Sequence, residues 1–257
     1  MKDKNSSSKL ERVPTGIKGF DELIEGGFPK NSSILVCGGP GCGKTIFASE
    51  YIFNGAKKFN EKGMYVSFEQ NSSSIKNQAS QFGFNVPLLE KSGKVKLLSI
   101  PANNITRGSI EEIKSIVKKE KIKRLVIDSL STLIINAPIY TTPSELSVKD
   151  VVGGNIVFSP PVIGDYVAKR FIYELIEELR SLDCTTILIS EAAEKGEYIT
   201  RDTLSEFACD GVIILNLQET LNMRRIQIRK LRSTIHPFRA REFELGSKGI
   251  EVKKDEE

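Results

Sequence analysis

Residues Gly38–Thr45 read GGPGCGKT, a match to the G-x-x-x-x-G-K-[ST] spacing that wraps a main chain around phosphate. The glycines let the backbone curl tightly. From Pro40 onward, proline itself excepted, successive N–H groups are expected to face one concavity, and a following helix adds the partial positive charge of its N-terminus. Gly38, Gly39, Pro40, Gly41, Cys42 and Gly43 then form the cradle, and Lys44 reaches the β- and γ-phosphates. Thr45 offers its hydroxyl to Mg²⁺, an ion that prefers oxygen ligands and keeps several waters.

Such a loop needs a strand before it and a helix after it. Ser32–Cys37 (SSILVC) is a short apolar, β-branched run, and Thr45–Phe59 repeats apolar residues at helical spacing. Further apolar runs at Gly63–Phe68, Val95–Ile100, Arg124–Asp128 and Thr185–Ser190 are separated by helical patterns. The clearest helix runs from about Asp165 to Leu182, with Val167, Phe171, Leu175, Leu179 and Leu182 on one stripe. That alternation predicts βαβ units and a parallel sheet. After Gly211, strand-like runs at Gly211–Leu217, Arg224–Leu231 and Ala240–Leu245 follow with short connections, as in an antiparallel extension. The predicted fold is therefore α/β, a mainly parallel twisted sheet flanked by helices. Between Asn136 and Gly164, prolines at 138, 143, 160 and 161 and the pair Gly153-Gly154 break any periodicity, which predicts a long loop or insertion.

A chain of 257 residues suits one large domain, expected over 13–252 with a tail at 1–12 and a charged one at 253–257. Met1–Lys9 is polar and serine-rich rather than apolar, and the expected location is cytoplasmic, without a membrane anchor. Cysteines at 37, 42, 184 and 209 show no metal-type pairing, as suits a reducing compartment. His236 is the only histidine, so histidine metal sites and catalytic triads find no support. The net charge of +4 is too weak to announce a nucleic-acid binder. Lys118–Arg124 (KKEKIKR) reads as a solvated helix end and Arg224–Arg241 as a basic strand face.

A phosphate loop of this kind works with an acid at the end of a neighbouring strand, and Arg124–Leu130 (RLVIDSL) supplies Asp128 for Mg²⁺. Hydrolysis also needs a group that takes a proton from water. The strand ending in Glu69-Gln70 offers Glu69 as that base, against the alternative of a surface carboxylate. Glu191 and Ser190 end another strand and suggest a γ-phosphate sensor or simple strand termination. Cys42, beside Lys44 at a helix N-terminus, suggests a thiol of lowered pKa and a redox-sensitive site, against a small residue the turn demands. Cys37, Cys184 and Cys209 read as small core residues.

Pro14–Phe28 (PTGIKGFDELIEGGF), the phosphate loop, Val66–Gln70 (VSFEQ), Val126–Leu130 (VIDSL) and Lys230–His236 (KLRSTIH) together resemble the KaiC-type branch of the RecA ATPase superfamily. The resemblance spans about Val13 to Val252. It implies a RecA-like core, with ATP and Mg²⁺ bound between neighbouring subunits of a homo-oligomeric ring, a hexamer being one option, or of a filament. Lys230 and Arg232 match a pair inserted in trans toward the next subunit's γ-phosphate, and Leu231, Thr234 and His236 match positions around the nucleotide. The chain departs from the family at Gln70, where a second acid is common, and at Ser233, where glycine is usual. Gly246 and Ser247 stand where a hydroxyl residue and an acid often meet the nucleotide. Residues 136–164 exceed the usual connection, and no match to the clock protein's phosphorylated pair is found, so clock function does not carry over.

The leading expectation is a slow ATPase whose hydrolysis drives a conformational or assembly switch, with room for a protein partner. Two alternatives stand beside it. One is a recombinase-like ATPase on single-stranded DNA, weakly supported because 136–164 holds Lys149 as its only base. The other is a nucleotide-binding regulatory subunit with little turnover.

Overall fold

In the computed structural model, which describes residues 10–140, 160–193 and 199–254, nine strands form one sheet in the order β11-β10-β9-β8-β3-β7-β6-β4-β5. The parallel part comprises β3 (Ser33–Gly38), β4 (Gly63–Ser67), β5 (Val95–Ser99), β6 (Arg124–Asp128), β7 (Thr185–Glu191) and β8 (Gly211–Gln218). The antiparallel edge is β9 (Met223–Leu231), β10 (Arg241–Gly246) and β11 (Gly249–Val252). A small ribbon pairs β1 (Arg12–Val13) with β2 (Phe28–Pro29).

The central strands read as continuous apolar runs because both faces are covered. Alternate residues part company: Ile34, Val36, Tyr65, Val126 and Ile187 join one core with α1 (Lys44–Lys58), α2 (Ser72–Gln81) and α3 (Val86–Lys91), while Leu35, Val66, Leu125, Ile127 and Leu188 join a second. α4 (Arg107–Glu120), α5 (Leu130–Tyr140) and α6 (Pro160–Arg180) supply that second side. On α6, Ile172, Leu175, Ile176 and Leu179 are buried, so the inward stripe lies close to the predicted one. No described helix is long and apolar enough to cross a membrane.

The stretch read as a loop is helical at both ends. α5 continues to Tyr140 and α6 starts at Pro160, because proline at the first position of a helix gives up an N–H that has no partner there anyway. Residues 141–159 lie outside the described ones.

The Pro14–Phe28 motif acts as a brace. Asp21 Oδ1 accepts from the Thr15 amide (2.8 Å) and hydroxyl (2.7 Å), and its Oδ2 accepts from the Gly16 amide (2.8 Å). Gly19 has positive φ, and a Cβ there would meet the Val252 carbonyl oxygen at 2.3 Å. The brace thus packs onto β11.

β11 is also tied to α1. The buried Glu50 accepts the Ile250 N–H at 2.5 Å, and Gly249 has no room for a side chain beside that carboxyl. Burial pushes Glu50 up to about 7, against the opposing pull of the Ile250 amide and the Lys58 charge. The ordinary value is 4.5, so the folded chain holds an extra proton between these pH values. Its contribution to stability is complete below pH 4.5 and is lost as pH rises through 7. Glu50→Gln keeps an acceptor and removes the titration. By denaturant unfolding the variant is expected to exceed wild type by about 3 kcal/mol at pH 8, with the gap closing at pH 4. A gap that does not change with pH would contradict this origin.

Arg124 corrects one expectation. It opens β6, as the strand run at Arg124–Asp128 predicts, but its side chain is fully buried instead of ending a solvated cluster. The basic character of the run belongs to the end of α4, whereas residue 124 enters the sheet.

Candidate nucleotide site

β3 delivers the chain to the phosphate loop and α1 takes it away, as the flanking patterns predict. Gly41 and Gly43 both have positive φ, at 71° and 104°, the left-handed region that glycine enters without penalty. A side chain at Gly38 would meet the Leu215 carbonyl oxygen at 2.2 Å and Cys42 Sγ at 2.6 Å. Neighbouring β8 therefore demands the first glycine. Lys44 Nζ donates to the carbonyls of Gly38 (2.7 Å) and Gly39 (2.8 Å), which holds the ammonium within its own loop.

β6 ends in Asp128, beside β4. Tyr65 pairs with Val126 across these strands, so Asp128, two residues on, shares its face, and the Tyr65 hydroxyl donates to Asp128 Oδ2 at 2.6 Å. Burial raises the Asp128 carboxyl to about 6. The Tyr65 bond opposes that rise, Glu69 adds to it, and Lys44 and a Thr45 hydrogen bond oppose it. Burial and the Asp128 charge in turn push the Tyr65 phenol up. Tyr65 escaped the sequence reading; its only signal there is that a buried phenol needs a polar partner.

Two residues beyond β4, Glu69 Oε1 accepts hydrogen bonds from Ser129 Oγ (2.5 Å) and Thr132 Oγ1 (3.0 Å). Both donors sit where β6 turns into α5. At the end of β7, Glu191 Oε2 accepts from Arg201 Nη1 at 3.0 Å. A cleft of about 500 Å³ brings together Lys44, Thr45, Glu69, Asp128, Glu191 and Arg201 with Gly38, Gly39 and Pro40 of the loop.

The donor set fits Mg²⁺. Thr45 and Asp128 present adjacent oxygens, and this ion typically takes one or two protein oxygens with phosphate and water. Among the described residues no group of three His, Cys, Asp or Glu forms an all-protein cage.

The remaining candidates stand apart from this cleft. Lys230 Nζ donates to the carbonyls of Glu206 (3.3 Å), Phe207 (3.0 Å) and Cys209 (2.6 Å), around the short helix α7 (Ser205–Ala208). Desolvation and then the Arg232 charge lower its pKa. Arg232 Nη1 bonds Asp210 Oδ1 at 3.1 Å, and Leu231 is buried. Thr234 Oγ1 accepts from Arg12 Nη1 at 2.6 Å. His236 packs edge-on to Phe238, ring centres 5.8 Å apart. Gly246 ends β10 and Ser247 begins the turn to β11; Leu245 and Phe243 would sit 3.8 Å from a Cβ on Gly43.

Of the two readings of Cys42, its surroundings favour the small residue of the turn over the reactive thiol. It is buried, and desolvation raises its thiol pKa more than Lys44 lowers it; helix-end and lysine fields act on a thiolate only where the thiolate can form. Burial likewise pushes Cys37 and Cys209 up to about 12 and Cys184 to about 11.

Comparison with known proteins gives the same picture. The KaiC ATPase family model matches residues 13–141 and 163–257. The circadian clock oscillator protein KaiC of Prochlorococcus marinus is 32% identical over 255 residues, covering 95% of this chain and 46% of that protein. The chain thus spans about half the length of such KaiC relatives. The UPF0273 protein of Thermotoga maritima is 31% identical over 263 residues, covering 95% of this chain and 96% of that one. A crystal structure of a KaiC-like protein from Pyrococcus horikoshii superposes with a TM-score of 0.75 at 32% identity, covering 96% of this chain and all of that one. With a RecA-type sheet and a phosphate loop facing Asp128 and Glu69, this chain belongs to the KaiC family of nucleotide-binding P-loop ATPases.

Proposed function

We propose that the chain hydrolyses ATP with Mg²⁺ at sites shared between neighbouring subunits of a homo-oligomer, and that hydrolysis drives a conformational or assembly switch. Loop amides and Lys44 hold the phosphates, and Thr45 and Asp128 hold the metal, which neutralises phosphate charge when bound. Glu69 accepts a proton from the attacking water. Arg232 of the adjoining subunit stabilises charge as it develops on the γ-phosphoryl group.

The observation that carries the shared site is the register of β9. Lys230 pairs with Val212, which pairs with Leu35 of β3, and β9 then runs away from the phosphate loop. The Arg232 amide bonds the Asp210 carbonyl, level with Ser33. Five residues of strand, roughly 16 Å, separate that level from Gly38. Arg224, at the opposite end of β9, is the residue that approaches Gly41. Arg232 is thus far from its own loop, exposed, and next to the outward-facing Ile235 and Phe238, both at least three-quarters exposed. A charged group flanked by bare apolar side chains suits an interface. Lys230, held by three carbonyls, fixes the base of this projection, and the exposed Arg232 rests on Asp210 in an ion pair weak enough to exchange for a neighbour's phosphate.

Mixing two variants tests the sharing. Lys44→Ala removes the phosphate lysine, and Arg232→Ala is expected to slow turnover about fiftyfold. In a random equal mixture, one head-to-tail interface in four joins an intact loop to an intact Arg232, so activity is expected to return to about a quarter of wild type. A mixture no faster than its components would place Arg232 outside the neighbour's site.

A further inference from the structure

The cleft holds a second cation that the sequence did not single out. β7 lies between β3 and β6, so its C-terminal end emerges between the phosphate loop and Asp128. Glu191 stands at that end, opposite Gly38, and carries Arg201 on its carboxylate. Both side chains are more than half exposed. An ion pair in that setting is weak and exchanges readily for a better anion.

The backbone beneath Arg201 is fixed. Ala192 and Thr200 form an isolated antiparallel bridge, and the Arg201 amide donates to the Glu191 carbonyl at 3.3 Å. The buried Glu206 carboxylate accepts the amides of Ile199 (2.7 Å) and Thr200 (3.0 Å). An exposed guanidinium therefore starts from a hydrogen-bonded point at the cleft wall. Facing it are three carboxylates, Glu69, Asp128 and Glu191, with Lys44 the other cation lining the cleft. Lys44 donates to the loop carbonyls and its charge acts on Asp128, whereas Arg201 enters the cleft from the Glu191 side.

We propose that Arg201 contacts the terminal phosphoryl group of a bound nucleoside triphosphate from within the same subunit. It exchanges Glu191 for phosphate on binding and so favours triphosphate over diphosphate. The guanidinium fork matches phosphate oxygens as well as a carboxylate, and a terminal phosphoryl group offers it three oxygens and more negative charge than Glu191 does. This inference rests on the nucleotide site proposed above.

Calorimetric titration of the full chain with Mg²⁺ and either ADP or an ATP analogue bridged by β–γ imide separates the two claims. Arg201→Ala is expected to weaken the analogue about tenfold and ADP less than about twofold. Arg201→Lys should recover part of the loss, and Glu191→Gln, which frees the guanidinium, should tighten the analogue. Equal losses for both nucleotides, or none, would overturn the Arg201 assignment while leaving the site intact. Wild type that binds neither nucleotide, or Lys44→Ala that binds both as well as wild type, would defeat the site and this inference with it. Arg201 is largely exposed, so unchanged melting of the variants without nucleotide is expected, and it excludes unfolding as the cause of lost affinity.

Discussion

Glu69→Gln is expected to turn ATP over about a thousandfold more slowly than wild type while binding Mg-ATP within about twofold of it. The reason lies in what the amide keeps and what it loses. Oε1 of Glu69 accepts two hydroxyl protons, from Ser129 and Thr132, and a glutamine carbonyl can accept the same pair. Position is preserved. The carboxylate's second oxygen becomes an NH₂ group, which cannot take a proton from water. In the proposed site, binding is assigned to other groups, chiefly the loop amides and Lys44. Single-turnover hydrolysis and equilibrium binding on the same preparation check both halves. Turnover equal to wild type would move the base elsewhere. A large loss of affinity would show that Glu69 holds nucleotide rather than activating water.

The parts of this site that could be read from sequence are those whose chemistry is written in consecutive residues. The loop Gly38–Thr45 carries its own geometry, because positive φ at Gly41 and Gly43 and the start of α1 follow from local preferences. Asp128 was legible as an acid closing an apolar run. Alternation of apolar runs and helical stripes likewise gave the parallel core and the antiparallel edge. β11 and the β1–β2 ribbon were not seen as strands: they span two to four residues each, too short for a period to show.

What stayed hidden depends on register and distant packing. Tyr65 meets Asp128 only because β4 and β6 pair with Val126 opposite Tyr65. Arg201 reaches the cleft because its neighbour Thr200 bridges Ala192 and the amides of Ile199 and Thr200 bond Glu206, none of which leaves a spacing in the sequence. Lys230 reads as a cation available to a neighbour, whereas the fold places carbonyls of its own chain around it. A charged residue's role is set by what surrounds its tip, and composition does not report that.

Arg124 is the strongest instance and gives the largest stability effect. Its side chain has no exposed surface. Nε donates to Glu61 Oε2 at 2.6 Å, and Nη1 donates to the carbonyls of Pro14 (2.7 Å) and Tyr51 (3.0 Å). The guanidinium carbon lies 4.8 Å from the Tyr51 ring centre and 5.1 Å from that of Phe59. Gly55 must lack a side chain, since its Cβ would stand 2.3 Å from Arg124 Cδ. One cation thus ties the start of the N-terminal brace to the middle of α1. Arg124→Ala empties this volume and takes the guanidinium from the Pro14 carbonyl and the Glu61 carboxylate, for an expected loss of about 4 kcal/mol in denaturant unfolding. Glu61→Gln keeps an acceptor at a part-exposed position and is expected to cost less than about 1 kcal/mol. A loss below about 1 kcal/mol for Arg124→Ala would mean that neighbouring groups refill the site. The damage should also be separable from nucleotide binding. The contacts fall on α1 beyond the phosphate loop, so saturating Mg-ATP is expected to add the same increment of stability to the variant as to wild type. A smaller increment would show that the Arg124 tie also shapes the loop that holds phosphate.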